Sequence, residues 1–270
     1  MNYFRSPNAC GQRRPSALSS CGIAVMAKAS LAGRTKTRLV PPLSYREAAA
    51  FNTAFIKDVA ENVLVASRQT SIAGYMAFGP PGSEHFFHDC LPPDISLFEA
   101  WLPSFGDCLF TAMQRLLEKK GHASAVVLNS DSPTLPTSLL VETANLLAQP
   151  GDRAVLGPST DGGYYLLGLK CADRRMFDRI AWSTSHVLHQ TLERAREIEL
   201  PVHTLAPWYD VDDVSALRSL HAELNDGCRF DHALAPHRAS HTAHLLKSLL
   251  RRADLAERLG VLPALAGVAP

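Results

Sequence analysis

The chain has no apolar run long enough to span a membrane, no C-x-x-C pair and almost no net charge, and each absence excludes something. A membrane helix needs about 20 consecutive apolar residues, and no segment approaches that. The six cysteines (Cys10, Cys21, Cys90, Cys108, Cys171, Cys228) are scattered through 270 residues. That pattern is neither a disulfide framework nor a zinc site, so a reducing cytoplasm is the expected compartment. A formal charge of +1 argues against nucleic acid or an anionic membrane as the main partner. No G-x-S-x-G elbow occurs. Gly33-Arg34-Thr35-Lys36-Thr37 is not a P-loop, because Thr35 precedes Lys36 and the earlier glycine is missing. His85 and His88 lack a helical frame and a nearby cysteine for zinc, and His186 and His189 read as polar positions on a helix face. No internal repeat is present.

What remains is ordinary for a globular protein with a sizeable core: 46% hydrophobic and 20% charged residues. Residues 1–20 are rich in Ser, Pro and Arg without an apolar segment, and read as a disordered leader rather than a signal peptide. From there apolar strands alternate with helical patterns. Strands are expected at Ile23–Ala27, Ile72–Phe78, Ala125–Leu128, Ala154–Gly157, Tyr164–Leu169 and Val202–Leu205. Helices are expected from Ser44 to about Ser67, opened by the capping box Ser44-x-x-Glu47, and from Ser104 to Lys120, stopped by Gly121. Further helices are expected at Thr137–Gln149, Thr184–Ile198 and Val214–Leu224. The segment from Gly79 to Pro103 reads as loop. This rhythm predicts an α/β layered fold with a mainly parallel central sheet flanked by helices. Past residue 226 the pattern weakens to a C-terminal extension, 227–270, with one helix near His241–Arg252.

From Lys28 through Arg46 the chain carries Lys28, Arg34, Lys36, Arg38 and Arg46 and not one acid. A strand ending in a small, flexible, basic loop is suited to an anion, phosphate above all, although a solvated basic turn would look the same. In open α/β sheets, ligands bind beyond the carboxyl ends of the strands, and three more polar clusters fall at such places or between later strands. Asn129-Ser130-Asp131 leaves a strand as apolar as a central one, so Asp131 is a candidate ligand for Mg²⁺ or Mn²⁺. An Asx turn or helix cap is the alternative. Asp210 and Asp212, on extended backbone, would place both carboxylates on one face roughly 6.5–7 Å apart, where they repel unless a cation intervenes. Asp213 is expected to cap the helix that follows. Asp161-Gly162-Gly163 offers backbone that a ligand can approach closely, or simply a hairpin turn.

Five segments, KASLAGRTKTRL, NSDSPTLP, GPSTDGGYYLLGL, IAWSTSHV and WYDVDD, occur in this order. Together, over about residues 22 to 225, they resemble a bacterial domain-of-unknown-function family of the nucleotide-diphospho-sugar transferase superfamily, which has the GT-A fold. More distantly the chain is similar to 2-phospho-lactate guanylyltransferases and molybdenum-cofactor nucleotidyltransferases. The resemblance implies a GT-A-like transferase domain over 21–226. It implies phosphate binding by Lys28, Gly33, Lys36 and Arg38, with metal at Asp131, Asp210 and Asp212. Two departures stand out: Ser30 where the family has proline, and Asn129 where it has glycine, a change that would narrow the nucleotide pocket.

The expected activity is nucleotidyl transfer to a small phosphorylated or hydroxylated acceptor, dependent on Mg²⁺ or Mn²⁺. Lys28, Lys36 and Asp131 are the catalytic candidates. Arg34, Ser130, Asp161, Gly162 and Gly163 complete the expected nucleotide site. Glycosyl transfer from a nucleotide sugar is the alternative, and a nucleotide-binding protein without turnover a second one. The basic loop favours nucleotidyl transfer, because a triphosphate carries more charge than a sugar diphosphate.

Overall fold

The computed structural model describes residues 20–251 and 255–261; the leader expected at 1–20 lies, apart from residue 20, outside the described residues. Seven strands, β1 (Cys21–Lys28), β2 (Ile72–Gly79), β3 (Ser96–Glu99), β4 (Ser124–Asn129), β5 (Ala154–Pro158), β6 (Tyr164–Leu169) and β7 (Val202–Thr204), form one sheet in the order β3-β2-β1-β4-β6-β5-β7. All pairs are parallel except those of β6, which runs antiparallel to both β4 and β5. The reason is chain length: a parallel partner requires a crossover of about a dozen residues, and only residues 159–163 separate β5 from β6.

The helices are α1 (Tyr45–Ser67), α2 (Glu84–Cys90), α3 (Phe105–Gln114), α4 (Thr137–Ala148), α5 (Val187–Glu197), α6 (Val214–Asn225), α7 (Ser240–Arg251) and α8 (Leu255–Leu259). They cover both faces, as buried parallel strands require. Alternation along β1 sends Ile23, Val25 and Ala27 to one side, against α1, α4 and the C-terminal helices. Ala24 goes to the other side, against α3 and α5. The capping box of α1 is complete: Ser44 Oγ accepts from the Glu47 amide, and Glu47 accepts from the Ser44 amide.

Three expectations need correction. The 79–103 segment is not all loop but contains α2 and β3, short elements framed by Pro80, Pro81, Pro92 and Pro93. Ser104 stands at the start of α3, but its hydroxyl makes no capping hydrogen bond, and the last turn runs on as a π-helical segment, Arg115–Lys119. Helix α5 begins at Val187 rather than Thr184, because Ser183 has a left-handed backbone (φ 64°) and the Thr184 hydroxyl bonds back to the Ala181 carbonyl. Among the described residues no helix is long and apolar enough to cross a membrane.

The segment after α6 packs into the core shared by α1 and α4: Leu246, Leu255 and Leu259 are fully buried there. Two polar ties fix it. Asp58 of α1 accepts from the amides of His241 and Thr242, each at 2.8 Å, and from the Thr242 hydroxyl at 2.5 Å, so its carboxylate closes the first turn of α7. Arg258 of α8 donates to both carboxylate oxygens of Glu47 and to the Pro42 carbonyl. The Arg258 hydrogen bonds, aided by the Ser44 amide and opposed by partial burial, hold Glu47 down at about 2 from an ordinary 4.5.

A depressed carboxylate contributes stability that is present above its unfolded value and lost as pH falls toward the folded one. We therefore expect Glu47→Gln to lower the melting temperature by a few degrees at pH 7, corresponding to about 1 kcal/mol after solvent screening. The difference should shrink as pH falls from 4.5 toward 2. Melting curves of both proteins across that range check it, and a pH-independent gap would show that packing, not charge, makes the tie.

Candidate functional site

Strands β2 and β4 flank β1: the chain passes from β1 to β2 and β3 on one side, then crosses back to β4 on the other. A doubly wound sheet opens a crevice at such a point, beyond the carboxyl ends of its strands. The basic loop leaves β1 there and Asn129-Ser130-Asp131 leaves β4 beside it. The resulting cleft measures about 390 Å³ and is lined by Lys28, Arg34, Lys36, Arg38, Asn52, Trp101, Phe105, Ser130, Asp131, Tyr164 and Asp212, among others.

The loop's shape follows from its sequence. Gly33 takes φ 78°, and the amides of Arg34 and Thr35 turn back to the Leu31 carbonyl. Lys36 itself is left-handed (φ 51°, ψ 39°) at the head of the short 3₁₀ turn Thr37–Leu39. A non-glycine residue held there is strained by of order 1 kcal/mol and persists only when its surroundings require it. Asn52 of α1 supplies part of that support by donating to the Lys28 carbonyl (3.1 Å) and to Ser30 Oγ (2.8 Å). Ser30 is thus anchored to α1, and Thr53 lies 2.8 Å from the same hydroxyl.

The side chain of Lys36 turns inward. Its ammonium lies 2.8 Å from Asp131 Oδ1, 2.8 Å from Asp212 Oδ1 and 3.0 Å from the Val211 carbonyl, with only 6% of the side chain exposed. Burial opposes its charge, but attraction to Asp131 and Asp212 and hydrogen bonds to both outweigh that, and its pKa lies above the ordinary lysine value. For Asp212, burial is likewise outweighed by Lys36 and Arg38, whose guanidinium holds its other oxygen, and its pKa is lowered. Asp210 behaves differently. Burial pushes it up to about 6, an accepted Ser159 hydroxyl bond (2.7 Å) works against that, and the nearby Asp161 and Asp212 add to the rise.

Of the residues expected from sequence, Lys28, Arg34, Lys36, Arg38, Ser130, Asp131 and Asp212 share the cleft. Gly33, Asp161, Gly162, Gly163 and Asp210 are not among the residues that line it. Gly33 serves the loop's turn. Gly162 (φ 90°) admits protein rather than ligand: a Cβ there would lie 2.4 Å from the Ser185 carbonyl oxygen. Asp161 accepts from the Gly163 amide at 2.8 Å, an Asx-type turn. Asp210 is held by the Ser159 hydroxyl, and Asp212 by Lys36 and Arg38. Asp213 caps α6 through the Ala216 amide.

Sequence reasoning missed Asn52, Trp101 and Phe105, which lie on α1, after β3 and at the start of α3. Only fold-level register brings them to the loop. It also missed Asp58, Glu61 and His241, whose ligand atoms lie within 4.8 Å of one another as a metal site's would. Both Asp58 oxygens, however, already accept bonds from α7, so a helix cap accounts for the cluster.

Comparison with solved structures gives the same class of fold: the chain is a GT-A-like α/β protein. A candidate nucleotide-diphospho-sugar transferase from Desulfovibrio desulfuricans G20 is 25% identical with a TM-score of 0.71, over 87% of this chain and 98% of that one. A CMP:2-keto-3-deoxy-manno-octonic acid synthetase complexed with CTP (12% identity, TM-score 0.51, 78% and 100% covered) shares the fold. So does a cytidylyltransferase from Leptospira borgpetersenii serovar Hardjo-bovis (10% identity, TM-score 0.50, 87% and 95% covered). Residues 63–184 match the model of a bacterial family described as an uncharacterized protein conserved in bacteria (DUF2064), in keeping with the resemblance carried by the motifs. No curated protein matches the sequence.

Proposed function

We propose that the chain is a metal-dependent transferase acting on a nucleotide, and that its reaction is nucleotidyl transfer to a small phosphorylated or hydroxylated acceptor. One observation carries this reading: Lys28, Arg34, Lys36 and Arg38 converge with Asp131 and Asp212 on a single cleft at the point where the sheet reverses direction. A triphosphate brings three to four negative charges that cations must offset; four basic side chains less two carboxylates leave +2, and one divalent ion would bring the site to +4.

The oxygens around Lys36 test whether a metal fits. Two carboxylate oxygens and a backbone carbonyl already surround one positive charge at 2.8–3.0 Å, the hard-oxygen donor set that Mg²⁺ or Mn²⁺ takes. Asp131 and Asp212, with the Val211 carbonyl, would hold the ion once Lys36 turns to a phosphate. When bound, such an ion neutralises phosphate charge and polarises the reacting phosphoryl group. Asp210, bonded to Ser159 and outside the cleft lining, would not ligate.

The protein's own part is positioning and charge. Lys36 and Arg38 would hold the β- and γ-phosphates, and Lys28 would meet the acceptor. The acceptor oxygen bonds to the α-phosphorus as the bond from that phosphorus to the bridging oxygen breaks, and pyrophosphate leaves with the electron pair. An acceptor that is itself a phosphate enters as an anion and needs no general base. Glycosyl transfer from a nucleotide sugar is the second reading, favoured by the likeness to the Desulfovibrio protein; it would use the same cations on a departing diphosphate.

The test is a thermal-shift series with Mg²⁺ or Mn²⁺ against nucleoside triphosphates and nucleotide sugars, followed by assay of pyrophosphate release. Saturation at a hundred times Kd stabilises by about 2.7 kcal/mol, or a few degrees. A metal-dependent shift with a triphosphate is the expected result. A shift only with a nucleotide sugar would replace the reaction with glycosyl transfer, and silence from both would remove the nucleotide.

A further inference from the structure

One end of the cleft is walled by the sheet, α3 and Trp101, over whose ring the Lys28 ammonium lies, 5.3 Å from its centroid. Ala77, Met26 and Asn129 lie side by side in register across β2, β1 and β4, and Tyr164 opens β6, the next strand along. Ala77, Met26 and Tyr164 belong to the face covered by α3. Phe105 and Leu109 of α3 line the same space, as does Trp101. The Trp101 ring is seated against Gly79, where a Cβ would lie 2.1 Å from it, and 42% of the residue remains exposed. The walls are therefore mostly apolar and aromatic.

Two polar atoms break this pattern. Asn129 Oδ1 and the Tyr164 hydroxyl are both buried and have no hydrogen-bond partner among the described residues. The Asn129 Nδ2 lies 3.2 Å from Ser132 Oγ; because a serine hydroxyl donates as well as accepts, the unmatched end of the amide is the oxygen or, with the amide turned over, the N–H. Buried polar atoms without partners are uncommon in folded proteins. In either orientation a carboxamide end and a phenol hydroxyl stand unmatched, and together they suit a partner whose edge carries both donors and acceptors.

A flat group whose edge carries donors and acceptors, lying among aromatic walls and joined to phosphates in the same cleft, has the chemistry of a nucleobase. We propose that this end of the cleft holds the heterocycle of the nucleotide, with the Asn129 amide pairing with its edge and the Tyr164 hydroxyl making a second bond to it. Asn129 and Tyr164 then determine which base is used. The inference rests on the nucleotide reading above and adds to it the residues that read the base.

Titration calorimetry with the four common ribonucleoside triphosphates, and with inorganic tripolyphosphate as a probe that has phosphates but no base, tests it on the natural chain, Asn129→Leu and Tyr164→Phe. The natural chain should bind one triphosphate more tightly than tripolyphosphate. Each variant should weaken that triphosphate about tenfold and leave tripolyphosphate within twofold. Tyr164→Phe should melt no lower than the natural chain, since it deletes an unpaired hydroxyl. Unchanged triphosphate affinity in both variants would overturn the proposal and give this end of the cleft to the acceptor. Equal losses for tripolyphosphate would reduce both residues to structural parts. A natural chain that binds tripolyphosphate as tightly as any triphosphate would overturn the base subsite while the phosphate site stands. Binding of neither probe would remove the nucleotide reading itself.

Discussion

Asp131→Asn yields a folded protein whose turnover falls at least about a hundredfold, the loss that follows removal of a preorganised charge from a transfer site. The substitution keeps the shape of the side chain and changes only its charge. The backbone of Asp131 is untouched, and its carbonyl still accepts from the Val211 amide at 2.9 Å. Lys36 keeps Asp212 and the Val211 carbonyl as partners, and the Asp131 side chain is 31% exposed, so the stability cost should stay near 1 kcal/mol. Turnover and metal-dependent nucleotide binding are measured on the same preparation. Turnover within threefold of the natural chain would take Asp131 out of the chemistry.

Lys36→Met moves two ligands in opposite directions. Nucleotide affinity falls about a hundredfold, because the most enclosed of the four cations is gone, and a buried charged contact typically accounts for 2–5 kcal/mol. At the same time Asp131 Oδ1 and Asp212 Oδ1, which both lie 2.8 Å from one ammonium in the natural chain, face each other without a counter-charge. The variant should therefore melt several degrees lower in metal-free buffer, and millimolar Mg²⁺ or Mn²⁺ should restore the loss by binding where the ammonium was. The natural chain, whose own lysine fills that place, should respond weakly to the metal alone. Melting curves with and without metal decide it: equal metal stabilisation of both proteins would mean that Lys36 and the ion do not compete.

How much of this was legible in the sequence depended on the range of the interactions. Helix α1 was readable to its ends because Ser44 and Glu47 are three residues apart and carry the start signal themselves. The basic loop and Asp131 stood out because charge concentrates where a strand ends. The α2–β3 segment was unreadable because prolines frame elements only four and seven residues long, too short for a period to show. Pairings were out of reach for a different reason: Lys36 and Asp212 are 176 residues apart, and nothing local says which acid a cation will meet. The same holds for Asn52, a helix position in sequence and a prop for the phosphate loop in space. Asp161-Gly162-Gly163 misled because a glycine that admits a ligand and one that admits the Ser185 backbone have the same sequence.

The tie between Asp58 and the start of α7 has a consequence for how the protein is made. Its two sides are 184 residues apart, a distance a ribosome covers in about 10–40 s. Throughout that interval α1 has been synthesised while the apolar side later covered by Leu246, Leu255 and Leu259 is bare, and Asp58 lacks the amides it is shaped to receive. The order of synthesis thus leaves a sticky, half-finished intermediate until the final helices arrive. A cell with exhausted chaperones should lose this protein to aggregation during translation, well before any defect in the finished cleft is felt.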